Sequence, residues 1–109
     1  MSLKPRKKRP PIVPTGEWIR DHLMLVGEDY AYSMWKKFST YLILRGVTPP
    51  PSYQSFAKYI WILKRLRLIQ PTRIEYTPHG KPRQYYRLTP GAEFREEEWR
   101  NPQKILYGE

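Results

Sequence analysis

Three consecutive prolines, Pro49-Pro50-Pro51, divide this chain of 109 residues and limit how it can fold. They force a stiff, extended stretch and forbid helix in the residue before each ring. Any helix on the N-terminal side must therefore end before them, and any on the C-terminal side must start afresh. Ser52 follows directly, and its hydroxyl suits it to cap a new helix. From residue 53 to about 66, Phe56, Ile60, Leu63 and Leu66 recur at i, i+4, i+7 and beyond, the rhythm of a core-facing stripe. Gln54, Ser55, Ala57, Lys58, Trp61, Lys64 and Arg65 fall on the other face, so the segment predicts a helix with an apolar inside and a cationic outside.

The N-terminal half reads as two helices. Thr15 is the expected N-cap of the first, with Glu17 in the favourable first turn. Trp18, Ile19, His22, Leu23 and Val26 return at helical spacing, and Gly27 ends the run. A second helix is expected over residues 28–45, with Glu28 and Asp29 at its positive end and Arg45-Gly46 at its close. Ala31, Met34, Trp35, Phe38, Tyr41 and Leu42 form its apolar face.

After Leu68-Ile69 the period changes to alternation. Residues 73–77 and 83–88 are strand-prone, and Pro78-His79-Gly80-Lys81-Pro82 separates them. Pro78 suits the second position of a type I turn, and Gly80 the positive φ of a bulged hairpin. Residues 92–100 predict a short helix. Asn101-Pro102 reads as an N-cap with proline in the first turn of another. Trp99, Ile105, Leu106 and Tyr107 need a surface to pack on, in the core or on a partner.

Charge is distributed unevenly. Residues 30–92 hold eleven Lys or Arg and a single carboxylate, Glu75, a balance of +10 that equals the formal net charge of the whole chain. Residues 1–29 carry six basic and four acidic groups; residues 93–109 carry three and five. A surface made only for solubility mixes the signs; a one-sign middle suits a polyanion. Residues 1–13 add five basic residues and three prolines, the composition of a flexible basic arm. Such an arm serves to follow phosphates or simply to solubilise.

Several chemistries find no support. Without cysteine there is no disulfide framework, thiolate nucleophile or Cys-containing zinc site. His22 and His79 are far apart and read as a packed helix residue and a turn residue. Glu96, Glu97 and Glu98 cannot share one helix face, so no acid/base pair is expected there. The glycines form no phosphate-binding pattern. No apolar run approaches the ~20 residues of a membrane span. The expectation is a non-enzymatic, cofactor-free, intracellular protein with no membrane or small-molecule partner.

Helix, helix, Ser-capped helix and basic hairpin is the order of a winged helix-turn-helix domain. Residues 54–69, QSFAKYIWILKRLRLI, resemble the third helix of winged-helix regulators. Phe56, Ile60 and Leu63 match the core positions, Ser55, Ala57 and Lys58 the groove-facing ones, and Leu68-Ile69 lead into the wing. Pro51-Ser52-Tyr53 through Leu68-Ile69, with the strand Arg83-Gln84-Tyr85-Tyr86 after it, is similar to small winged-helix proteins of archaea and their mobile elements. This resemblance spans residues 51–90; residues 15–50 share only the order of elements. The family usually has Gly where this chain has Arg67, at a position that takes a left-handed backbone.

The resemblance implies an α+β fold: three helices and a two-stranded wing over residues 14–90, the arm before it, and a short helical extension over 91–109. It implies a transcriptional regulator, nucleoid-associated, that binds double-stranded DNA with the third helix in the major groove. Ser52, Tyr53, Gln54, Ser55, Lys58 and Trp61 then meet bases, sugar or phosphate. Gln54 suits adenine, Ser55 a base or a phosphate, and Lys58 guanine or a phosphate. Lys64 and Arg65 follow the backbone, and Arg73, Lys81, Arg83 and Arg87 set the wing on phosphates or in the minor groove. Two alternatives stay open, an RNA or ribonucleoprotein module and a protein-interaction module of a larger assembly. A homodimer on paired half-sites is compatible with the first reading.

Overall fold

The computed structural model describes residues 12–108; the basic arm expected over residues 1–13 lies outside the described residues up to position 11. Helix α1 (Thr15–Val26) leads through a two-residue strand β1 (Asp29–Tyr30) into α2 (Ala31–Leu44). Past the proline segment, α3 (Tyr53–Arg65) is followed by the hairpin of β2 (Ile69–Tyr76) and β3 (Pro82–Leu88). A 3₁₀ turn (Ala92–Phe94) and two short helices, α4 (Glu96–Arg100) and α5 (Pro102–Tyr107), complete the described chain. The sheet is antiparallel in the order β1-β3-β2. Three helices with this sheet form a winged helix.

The core forms where the apolar stripes meet. Ile19 and Leu23 of α1, Met34, Phe38 and Leu42 of α2, and Phe56, Ile60 and Leu63 of α3 pack with Leu68 and Ile69 into one buried cluster. Trp18 and Tyr41 lie half-buried around Phe38, with ring centroids 5.1 and 6.1 Å from it. Trp99 belongs to the same cluster and is fully buried. Its indole N–H donates to the Ala92 carbonyl at 2.8 Å, which satisfies the one polar group the ring brings inside. Ile105 and Tyr107 stay exposed, so only part of the C-terminal apolar surface turns inward.

Helix α4 packs on α1, and α5 on α3. The approach at α1 is close: a Cβ on Gly16 would stand 2.2 Å from the Trp99 carbonyl oxygen. Ile62, outside the expected stripe of α3, is also fully buried.

Four local expectations need correction. Thr15 is the first helical residue rather than the cap; Pro14 holds the N-cap position, without a side-chain bond. The second helix starts at Ala31 and ends at Leu44, because Asp29 and Tyr30 pair with Tyr86 and Tyr85 of β3 instead. The wing strands are longer than the alternation indicated, reaching back to Ile69 and Pro82. Pro71 sits within β2 because β2 is an edge strand, where one N–H is not needed for pairing. Residues 92–100 form not one helix but the 3₁₀ turn and α4.

Other signals hold. Gly27 closes α1 at φ 87°, and Ser52 caps α3 by accepting from the Ser55 N–H at 3.2 Å. Gly80 has φ 79°, with its N–H on the Thr77 carbonyl at 2.9 Å. Arg67 does take the left-handed conformation, φ 59°, while the Leu68 N–H closes the helix end on the Leu63 carbonyl at 3.0 Å.

Candidate nucleic-acid interface

Helix α3 presents its outer face without cover from the C-terminal segment. Gln54, Ser55, Lys58, Trp61, Lys64 and Arg65 are all exposed. None of the thirteen residues of α3 is acidic, and among the described residues no carboxylate forms an ion pair with Lys58, Lys64 or Arg65. The Arg65 guanidinium lies 5.6 Å from the centroid of the Trp61 ring, a cation–π contact that holds both at the surface.

The start of α3 is held from α2. The Trp35 indole N–H donates to the Pro51 carbonyl at 2.9 Å, immediately before the Ser52 cap. Tyr53 joins Trp35 and Tyr32 in a three-ring cluster with centroids 5.4 to 5.6 Å apart. The end of α3 is held from the C-terminal segment. Arg95, paired with Glu98, donates to the Leu66 carbonyl at 3.1 Å and to the Arg67 carbonyl at 3.4 Å. The Leu66 carbonyl, at the C-cap of α3, is among those a helix leaves without internal partners. Both ends of the exposed helix are thus positioned by residues outside it.

The wing cations divide into two groups. Arg73 sits at a β-bulge, where Thr72 and Arg73 oppose the single residue Tyr85. Its Nε donates to Glu28 at 2.6 Å, Thr72 adds a bond to the same carboxylate at 2.9 Å, and the guanidinium carbon lies 3.8 Å from the Tyr85 centroid. Arg73 and Thr72 hold Glu28 below the usual carboxylate range, and Glu28 in turn raises Arg73. Arg83 lies over the Tyr30 ring at 4.9 Å, 3.4 Å from Glu75. Arg87 donates twice at 2.7 Å to Gln70 once that amide oxygen faces it. Lys81, in the turn, is exposed and forms no ion pair among the described residues. Glu28, Gln70 and the aromatic faces of Tyr30 and Tyr85 as wing partners escaped sequence reasoning, since each meets its arginine only across the sheet.

A second polar centre lies behind the interface. The Asp29 carboxylate, 5% exposed, meets the His22 Nε2 at 2.7 Å, the Lys37 ammonium at 3.0 Å, the Ser33 hydroxyl at 3.2 Å and the Tyr30 N–H at 2.9 Å. His22 also stacks on Trp18 at 4.9 Å. Burial by itself raises the Asp29 carboxyl, but these donors outweigh it and hold the group below its usual value. Asp29 therefore ties α1, β1 and α2 together. Among the described residues no group of three or more His, Asp or Glu is placed to hold a metal ion. No described helix is long and apolar enough to cross a membrane.

No family model and no curated protein matches this chain. Among solved structures, it is similar to the crystal structure of a PadR-like transcriptional regulator from Bacillus cereus, with a TM-score of 0.52. The two are 19% identical over 86% of this chain and 84% of that one. At this identity the likeness concerns the fold, and it agrees with the winged helix described above.

Proposed function

We propose that this protein binds double-stranded DNA as a transcriptional regulator, with α3 in the major groove and the wing on the adjacent backbone. The observation that carries this reading is the outer face of α3, exposed along its length, cationic and free of acidic residues. Gln54, Ser55 and Lys58 lie in its first turns, the part of such a helix that reaches base edges. Ser52 and the free N–H groups of the helix start favour a phosphate there. Lys64, Arg65 and Lys81 supply further phosphate contacts, whereas Arg73, Arg83 and Arg87 are shared with carboxylates, rings or an amide and serve first to shape the wing. Tyr53 and Trp61 flank the readers as packing surfaces for sugar or a thymine methyl. The likeness of the fold to a PadR-like transcriptional regulator supports the same reading, as does the resemblance of residues 51–90 to small archaeal winged-helix proteins. In this reading residues 14–90 form the binding domain, and the described part of the C-terminal extension, residues 91–108, backs α1 and α3.

Selection of bound sequences from a random duplex pool tests it and reports half-site spacing if two copies bind together. Neutralising about six to eight phosphates gives a slope near −5 to −7 for log K against log salt. Gln54→Ala and Lys58→Ala are expected to flatten sequence preference. A uniform loss across all sequences argues against base reading, and preference for structured RNA over duplex DNA at matched salt removes the proposal.

A further inference from the structure

Five of the nine tyrosines, Tyr30, Tyr32, Tyr53, Tyr76 and Tyr86, line one cleft of about 1000 Å³. The cleft lies between the N-terminal ends of α2 and α3 on one side and the turn of the wing on the other. Core packing explains the half-buried Tyr86 and the pairing of Tyr30 with β3, and the cluster with Trp35 accounts for one side of Tyr32 and Tyr53, but none of this involves Tyr76. Tyr76 is 74% exposed, Tyr32 48% and Tyr53 38%. The Tyr76 side chain makes no ring contact or hydrogen bond among the described residues.

Basic side chains outnumber acidic ones around the cleft. Lys81 and Arg83 border it, and its only carboxylate, Glu75, is already shared between Arg73 and Arg83 at 3.4 Å each. Exposed aromatic faces beside cations, here Lys81 without a carboxylate partner among the described residues and Arg83 sharing Glu75 with Arg73, are the two components of a surface for unpaired nucleotides: the base stacks and the flanking phosphates meet the charges. An apolar ligand has no use for the cations, and an intact duplex cannot bring a base face to a ring. On the DNA surface proposed above, α3 and the wing hold neighbouring stretches of the duplex, and this cleft lies between them.

We propose that the cleft between the wing and α3 receives an unpaired nucleobase of the bound DNA, stacked on Tyr76, with Lys81 and Arg83 on its flanking phosphates. The preferred substrate is then a duplex interrupted beside the α3 site, by a bulge or a single-stranded branch, rather than an uninterrupted one. This rests on the reading of α3 and the wing as a DNA surface.

Fluorescence anisotropy of the full chain with three labelled duplexes of one sequence tests it: uninterrupted, with a single bulged nucleotide, and with an abasic bulge. The base-bearing bulge is expected to bind about tenfold tighter than the uninterrupted duplex, the contribution of one stacked base, and the abasic bulge to gain nothing. Tyr76→Ala removes the preference and leaves uninterrupted-duplex affinity unchanged, while Tyr76→Phe keeps both. Equal affinity for the three probes overturns the inference but leaves the DNA reading standing. So does an equal gain for the abasic bulge, which reports flexibility instead of stacking, or a preference that survives Tyr76→Ala. Failure to bind any of the three overturns the DNA reading and the inference with it.

Discussion

The Trp35 indole N–H donates to the Pro51 carbonyl at 2.9 Å, across the proline segment that separates α2 from α3. The bond ends one residue before the helix cap, so it sets where α3 begins relative to α2. A long, proline-stiffened connection thereby acquires a fixed angle that its length alone does not provide.

Trp35→Phe keeps a ring beside Tyr32 and Tyr53 but removes this donor. The loss of one neutral hydrogen bond is expected to lower stability by about 1 kcal/mol. In urea titrations the midpoint should fall with an unchanged slope. Binding to a selected duplex should weaken more than binding to random duplex, because the helix start is less well positioned.

Asp29→Asn removes the charge that His22, Lys37, Ser33 and the Tyr30 N–H converge on. A loss of about 1–3 kcal/mol is expected at neutral pH. The sign with pH follows from the lowered carboxyl: its contribution is complete above the usual aspartate value near 3.8 and is lost as pH falls through the lower folded value. Denaturation curves between pH 6 and about pH 2 should therefore show the wild-type advantage over Asp29→Asn shrinking on acidification.

Gly16→Ala places a methyl 2.2 Å from the Trp99 carbonyl oxygen, a backbone atom that cannot turn aside. Although alanine favours helix, overpacking at this contact is expected to cost about 1–3 kcal/mol. Thermal unfolding should show a lower midpoint. An unchanged midpoint would mean that α4 does not rest on α1 in solution.

Arg67→Gly relieves a left-handed residue at the end of α3. A gain of about 1 kcal/mol is expected, since L side chains are disfavoured there and glycine is not. The Arg95 bonds to the Leu66 and Arg67 carbonyls are to backbone and survive the change. Urea denaturation of the variant should show a raised midpoint.

The parts of this fold legible in sequence are those written in local chemistry. The Ser52 cap, the spacing of Phe56, Ile60 and Leu63, and the Pro78-Gly80 turn each depend on residues a few positions apart. Strand β1 left no such signal, because two residues become a strand only by pairing with Tyr85 and Tyr86, far along the chain. Read locally, Glu28 and Asp29 looked like the acidic start of a helix. In three dimensions Glu28 holds Arg73 and Thr72 at the base of the wing, and Asp29 joins three elements. Trp99 was recognisable as needing a surface, but its surface was not.

The helical and strand periods, the break at the prolines and the cationic outer face of α3 are local properties, because periodicity and capping act over one or two turns. Which cations remain available and which are engaged emerges only on packing. Packing also decides that Ile62 and Trp99 are buried, and that five tyrosines gather around one cleft. Charge pairing, burial and ring clustering depend on distances through space, and those are set only when α2, α3, the wing and the C-terminal helices pack together.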